Sequence, residues 1–227
     1  MKRAIFTYYN FQVQTELVDY QKRVVSKFIP EDYIHETLEY QQPDGVLLPF
    51  QVLDYAVNEL FYNKGYDSIM VLDVDAIPLS TFAITQTFDI AEFSSIVGNA
   101  QRSNHIENNQ HVYVGSPLMT FTRSFFEQIG KPSFAPTHRG DTGEEFSYLA
   151  KEKGLGVEMY MPSHFEANPT YQKDRPWDLA DGMPKYGIGT TYKDEVTDTE
   201  MFYHLFESRV NTHNELFIAK CQKILNS

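Results

Sequence analysis

Asp73 and Asp75, two carboxylates one residue apart, stand directly behind the run Ser68-Ile69-Met70-Val71-Leu72. Four of those five residues are apolar, the mark of a strand buried on both faces of a parallel sheet. Ionised carboxylates do not follow such a run into a core without partners. They are therefore expected at the strand's C-terminal edge, where open α/β sheets bind their ligands. A carboxylate pair offers hard oxygen ligands to Mg²⁺ or Mn²⁺, and these ions commonly share their coordination sphere with substrate phosphates. The competing account is a turn in which Asp73 or Asp75 caps the next helix. Pro78 is expected to end regular pairing.

The elements that position this pair begin with a strand at Ala4-Ile5-Phe6-Thr7-Tyr8-Tyr9. Val13, Leu17, Tyr20, Val24 and Phe28 then recur at helical spacing, and Pro30 stops the pattern. Tyr33, Leu38 and Tyr40 suggest a second strand, and Pro43-Asp44-Gly45 reads as a turn. Pro49 suits a helix's first turn, with Leu53, Ala56, Val57, Leu60 and Phe61 as its buried face and Asn63-Lys64-Gly65 as its exit. Strand–helix–strand–helix–strand implies a parallel sheet with right-handed crossovers.

An Asp-x-Asp behind an apolar strand, preceded by this order of elements, resembles the metal motif of the GT-A glycosyltransferases. The resemblance in element order covers most of the chain. It implies an α/β fold: one GT-A-like, Rossmann-type domain over residues 1–227, with a central, mostly parallel sheet flanked by helices. Residues 1–80 would form the nucleotide-binding half and 81–227 the donor-sugar and acceptor half. In that family the aspartate pair holds a divalent cation on the diphosphate of a nucleotide-sugar. Mn²⁺ (or Mg²⁺) and a nucleoside-diphosphate sugar are thus implied. The end of the first strand holds base and ribose there; the matching residues here are Thr7, Tyr8, Tyr9 and Asn10. Packing under the first helix accounts for the two tyrosines equally well.

The same resemblance directs attention to His204. GT-A enzymes often complete the metal shell with a C-terminal histidine, and of the seven histidines this one sits in an aromatic run, Met201-Phe202-Tyr203-His204-Leu205-Phe206. Imidazole beside two carboxylates suits Mn²⁺ better than Mg²⁺; a hydrogen-bonded core histidine is the alternative. Arg209 would meet phosphate or pair with Glu207.

Between these sites, residues 81–93 read as helix, Ser95-Ile96-Val97-Gly98 as a short strand, and Asn99 to Gln110 as a polar stretch. Ser116 to Phe121 is a strand, and Thr122 can cap a helix ending at Gly130. Thr142 and Glu145 match a Thr-x-x-Glu capping box, which leaves Asp141 and Glu144 without a structural explanation. In the family an acid at this helix start often faces the acceptor hydroxyl or the sugar, so Asp141 and Glu144 are the candidate catalytic residues. Acids near a helix N-terminus are also favoured by its dipole. Val157, Met159 and Met161 alternate as a strand. From Glu166 to Thr199, three Pro, three Gly and many charges give little periodicity, so a long loop is expected. It resembles the mobile loop that closes over the donor in GT-A enzymes. Lys173, Arg175, Lys185 and Lys193 are its candidates for the diphosphate. Residues 214–225 read as a terminal helix.

Composition narrows the partners. A net charge of −12 argues against a broad electrostatic grip on nucleic acid or anionic membrane. The lone Cys221 removes any intrachain disulfide framework or cysteine metal site, and a reducing, cytoplasmic setting is expected. No run approaches a membrane span, so a soluble protein is expected. The acceptor is open: a glycan, a protein, a lipid-linked sugar or a modified nucleobase in DNA. Small unanchored transferases of this kind resemble those of bacteria and their large phages. A sugar-phosphate nucleotidyltransferase would need a Gly-rich loop where the chain reads Tyr8-Tyr9-Asn10-Phe11. A non-catalytic GT-A-like nucleotide- or sugar-binding module is the remaining alternative.

Overall fold

The computed structural model describes residues 1–10, 13–40, 49–105, 110–166, 177–206, 208 and 213–227. Strand β1 (Arg3–Asn10) leads to helix α1 (Thr15–Phe28), β2 (Ile34–Tyr40), α2 (Pro49–Asn58) and β3 (Ser68–Leu72). β1 lies between β2 and β3, parallel to both. All five residues of β3 are buried, as an apolar run flanked by strands on each side requires. α2 passes into a π turn, Glu59–Asn63, that still buries Leu60 and Phe61. Gly65 then takes φ 67°, a left-handed conformation that glycine adopts without steric cost. The turn expected at 43–45 lies outside the described residues.

Beyond β3 come β4 (Ala76–Pro78), α3 (Thr81–Ala91), β5 (Ser95–Arg102), β6 (Val112–Thr122), α4 (Arg123–Gln128), α5 (Glu144–Glu152) and β7 (Gly156–Phe165). The chain ends with β8 (Trp177–Asp178), β9 (Lys185–Tyr186), β10 (Thr190–Asp194), β11 (Thr199–His204) and α6 (Asn214–Asn226). Among the described residues, nine strands form one sheet in the order β2-β1-β3-β6-β5-β7-β10-β11-β4; β8 and β9 pair separately. The expected α/β sheet is present, parallel across β2, β1 and β3 and mixed across the remainder. The β5–β7 pair is parallel, whereas β6, β10 and β11 meet their neighbours antiparallel. Helices cover both faces. α2, α4 and α5 close over a phenylalanine cluster in which Phe146 lies 4.5 Å from Phe134 and 5.4 Å from Phe121, ring centre to ring centre. α3 closes the other face through Ala83, Ile84, Phe88 and Ala91.

Three expectations change. The strand at Ser95 does not stop at Gly98: it runs to Arg102, because Ala100, Gln101 and Arg102 pair with Val114, Tyr113 and Val112 as one arm of a hairpin. Pro78 does not end pairing at once. β4 is an edge strand, where a missing N–H is tolerated, and Leu79 N–H still reaches Met201 C=O at 2.9 Å. The stretch from Glu166 to Thr199 is not one long loop. Residues 177–199 carry β8, β9 and the buried β10, which is inserted between β7 and β11. Its buried residues Thr190, Thr191 and Tyr192 favour strands yet carry no apolar alternation that marks them in the sequence. Residues 167–176 lie outside the described residues.

Candidate metal centre

The main chain fixes the aspartate pair on three sides. Asp73 N–H donates to Pro117 C=O, Ala76 N–H donates to Asp73 C=O, and Leu205 N–H donates to Asp75 C=O, each at 2.9 Å. The first bond ties the pair to β6, the second closes a tight turn over Asp73–Ala76, and the third ties it to the end of β11. The β4–β11 register sets His204 opposite Ala76. One ligand atom from each of Asp73, Asp75 and His204 therefore falls within 4.8 Å of the others. Helix capping does not explain the aspartates: Ser80 caps α3, its side chain accepting from Ala83 N–H.

The donor set fits a divalent cation. Bonds of about 2.0–2.2 Å allow two ligands of one ion to stand up to roughly 4.4 Å apart, so small side-chain movements complete the site. His204 is 4 % exposed, and its Nε2 approaches Asp75 Oδ1 at 3.4 Å, long for a hydrogen bond. Its Nδ1 is buried without a partner. A buried imidazole left this poorly satisfied by protein is what an expected ligand looks like. Its ring rests 4.1 Å from that of Phe206, which packs against Trp177 at 5.5 Å and Tyr186 at 5.4 Å. The β8–β9 hairpin thus backs the histidine. His204→Ala is expected to weaken Mn²⁺ binding by at least ~10-fold, since losing even an outer partner of a metal site costs that much. Titration calorimetry measures it; unchanged affinity would make His204 an ordinary core residue.

At the end of β1 the four candidates divide. Thr7 is fully buried, its Oγ1 accepting from Gln21 Nε2 and meeting His35 Nε2, each at 3.1 Å. Burial and a neighbouring lysine push His35 down to about 4, so that imidazole is neutral at pH 7. Tyr8 is buried beside Phe6, and its hydroxyl hydrogen-bonds to Asp73. Burial first, and then the Asp73 charge, raise the phenol far above its usual range, so it remains a donor to that carboxylate. Tyr9 packs beside α1 and its hydroxyl accepts from Lys22 Nζ at 3.2 Å. Asn10 closes the row, its Nδ2 3.5 Å from the Tyr40 hydroxyl. Tyr8→Phe keeps the ring and removes the Asp73 partner. Mn²⁺ affinity is expected to fall about 10-fold, with the melting temperature little changed; calorimetry and a thermal melt check both.

The acids at the start of α5 are held differently from the capping-box expectation. Gly143, at φ 74°, is the N-cap and offers no side chain. Glu145 instead pairs with Arg139 at 2.6 Å and accepts from Thr137 Oγ1 at 3.1 Å. The reach back toward the loop is made by Glu144, whose Oε2 accepts from Asp141 N–H at 2.8 Å. Burial pushes the Glu144 carboxyl up, but hydrogen bonds from His111, Ser103 and Asp141 N–H outweigh it and hold the group below its ordinary value. Asp141 is only half-buried; its Oδ1 accepts from Thr142 N–H at 2.7 Å.

No protein-family model matches the chain, and no curated protein does. Among solved structures, a glycosyltransferase involved in glycosylating the major capsid of PBCV-1 aligns with a TM-score of 0.52 at 11% identity, over 96% of this chain and 99% of that one. The fold is GT-A-like. Two others align with lower TM-scores. A putative nucleotide-diphospho-sugar transferase from Desulfovibrio desulfuricans gives 0.47 at 8% identity, over 70% of this chain and 79% of that one. A Drosophila galactosyltransferase solved with manganese, UDP-Gal and xylobiose gives 0.46 at 18% identity, over 70% of this chain and 65% of that one.

Within the GT-A-like fold, the structure brings Asp73, Asp75, His204 and Tyr8 together. Asp141 and Glu144 form a second group around Tyr113, whose phenol is raised by burial and then by those two charges. Tyr186 also acts on Tyr113 and packs against Phe206, so this hairpin residue stands between the two groups. Arg209, Lys173 and Arg175 lie outside the described residues. Lys185 and Lys193 are paired with Asp178 and Asp198 at the surface. Sequence reasoning missed Ser103 and His111 as partners of Glu144. Both flank the tip of a hairpin whose arms lack strong apolar alternation, so no local pattern pointed to them. No helix among the described residues is long and apolar enough to cross a membrane.

Proposed function

We propose that this chain is a metal-dependent glycosyltransferase that moves a sugar from a nucleoside-diphosphate sugar to an acceptor hydroxyl. The observation that carries the reading is the convergence of Asp73, Asp75 and His204 just past the C-terminal end of β3, in a fold that a capsid glycosyltransferase matches nearly end to end. Two carboxylates and an imidazole favour Mn²⁺ over Mg²⁺. A bound cation would neutralise charge developing on the departing nucleoside diphosphate. The Tyr8 hydroxyl donates to Asp73 and orients it, and the turn at Asp73–Ala76 holds Asp75 toward His204. Tyr9 and Asn10, at the end of β1, are proposed for base and ribose, with the fully buried Thr7 supporting the strand beneath them through Gln21 and His35, and Arg209 is proposed for the phosphates. Asp141, half-buried on the turn before α5, takes the acceptor's proton as the hydroxyl attacks the anomeric carbon. The acceptor is a hydroxyl of a glycan, a protein or a modified nucleobase.

A thermal-shift screen of nucleoside diphosphates and nucleotide-sugars, each with and without Mn²⁺, tests this. A ligand that binds only the folded state raises its melting temperature by mass action. Stabilisation by a nucleoside diphosphate that requires Mn²⁺ is the expected result. Binding without turnover of any nucleotide-sugar would leave a non-catalytic binding module, and no binding at all would remove the reading.

A further inference from the structure

Glu144 lies at the junction of three segments. Ser103 Oγ–H donates to its Oε2 at 2.6 Å, Asp141 N–H donates to the same oxygen at 2.8 Å, and His111 Nδ1 meets Oε1 at 2.6 Å. Ser103 and His111 are themselves joined across the hairpin, Ser103 N–H donating to His111 C=O at 2.8 Å. His111 Nε2 faces Lys151 Nζ at 3.2 Å. An ammonium can only donate, so Nε2 is the acceptor and the ring proton lies on Nδ1, directed at Glu144. The imidazole is held in that plane by stacking on Tyr148, 4.1 Å between ring centres. The Glu144 side chain is 0 % exposed.

A carboxylate with three donors and no exposed surface has no face left for an acceptor hydroxyl. It does have a grip on the main chain of its neighbour. Asp141 stands on a turn between Gly140 and Gly143 whose ends are tied by Thr137 N–H to Gly140 C=O and by Gly143 N–H to Phe134 C=O, each at 2.9 Å; the Asp141 N–H itself goes to Glu144. The bond from its N–H to Glu144 links that turn to the hairpin arms.

Resting on the reading of Asp141 as the acceptor-side base, we infer that Glu144 is a positioning residue: a buried clasp that sets Asp141 by tying its backbone to Ser103 and His111. The hairpin between β5 and β6 is thereby coupled to the acid that receives the acceptor's proton. Glu144 does not itself touch the substrate.

The test compares Ser103→Ala, His111→Gln, Glu144→Gln and the double variant Glu144→Gln/Ser103→Ala with wild type. Three measurements are made on the full chain: Mn²⁺-dependent binding of UDP and GDP, turnover on a panel of UDP- and GDP-sugars, and hydrogen exchange of the Asp141 amide. Each single variant is expected to lower turnover about 10-fold or more, the scale of lost outer-layer support. Nucleoside diphosphate affinity should be unchanged and Asp141 exchange faster. The double variant should be no worse than Glu144→Gln alone, since both break one clasp. Wild-type turnover in Ser103→Ala and His111→Gln, with Glu144→Gln inactive, would make Glu144 the base and overturn the inference. So would wild-type Asp141 exchange in all variants. If Glu144→Gln does not fold, Ser103→Ala and His111→Gln carry the comparison. If wild type binds neither nucleoside diphosphate with Mn²⁺, the glycosyltransferase reading falls by itself, and the clasp is judged on Asp141 exchange.

Discussion

Asp75→Asn is expected to abolish Mn²⁺-dependent binding of a nucleoside diphosphate, a loss of ~10²-fold or more, while the fold persists. Asn fills the same space and retains one oxygen, but it lacks the negative charge that a hard cation selects. The main-chain bond from Leu205 N–H to Asp75 C=O does not involve the side chain, so β4 and β11 remain joined. The side chain is 13 % exposed and meets His204 Nε2 at 3.4 Å, too long a contact for its loss to collapse the core. Calorimetry with Mn²⁺ plus UDP or GDP, beside a thermal melt, separates the two effects. An unchanged melting temperature with lost binding is the expected pair. Unchanged affinity would remove the metal assignment.

Asp141→Asn is expected to lower turnover by about 10²–10⁴-fold, the usual contribution of a general base, with donor affinity much less affected. The separation arises because the Asp141 group is distinct from the Asp73–Asp75–His204 group that would hold the diphosphate. Asp141→Asn also keeps the backbone N–H that Glu144 grips, so the loop should stay in place. Glu145→Gln is the control. Its carboxylate serves Arg139 and Thr137, and turnover should stay near wild type. Steady-state kinetics on a nucleotide-sugar, with transfer or hydrolysis as the readout, checks both. Full activity in Asp141→Asn would move the base elsewhere.

Where a segment's environment is uniform, its sequence sufficed. β3 is flanked by strands and covered by helices, so its residues had to be apolar, and the first polar positions after it had to be the edge. α1 and α2 each present one buried face, which helical periodicity records. The site was less legible because it depends on pairing between distant segments. His204 was reached through family resemblance, and only the β4–β11 register explains why it faces Asp75. The Thr142–Glu145 pattern misled because it is a local rule. Arg139 lies close enough to take Glu145 as an ion-pair partner, and the shorter reach from Glu144 to Asp141 N–H took its place. Residues 177–199 hid β10 for a related reason. A strand can satisfy its backbone with neighbours on both sides while burying threonine and tyrosine, which apolar periodicity does not register.

Among the described residues, β4 stands at the end of the sheet beside β11, the last strand in sequence order. Both aspartates are therefore present early in synthesis, whereas the site is not. A nascent chain carrying residues up to β10 would hold Asp73 and Asp75 with nothing to fix Asp75 against an imidazole. Contacts between segments so far apart in sequence form late, because loop closure must come first. A chain clipped before His204 would keep the cluster under α2, α4 and α5 and lack the imidazole of the candidate metal centre. A cation shared between β4 and β11 would fasten the last strand to the sheet it completes.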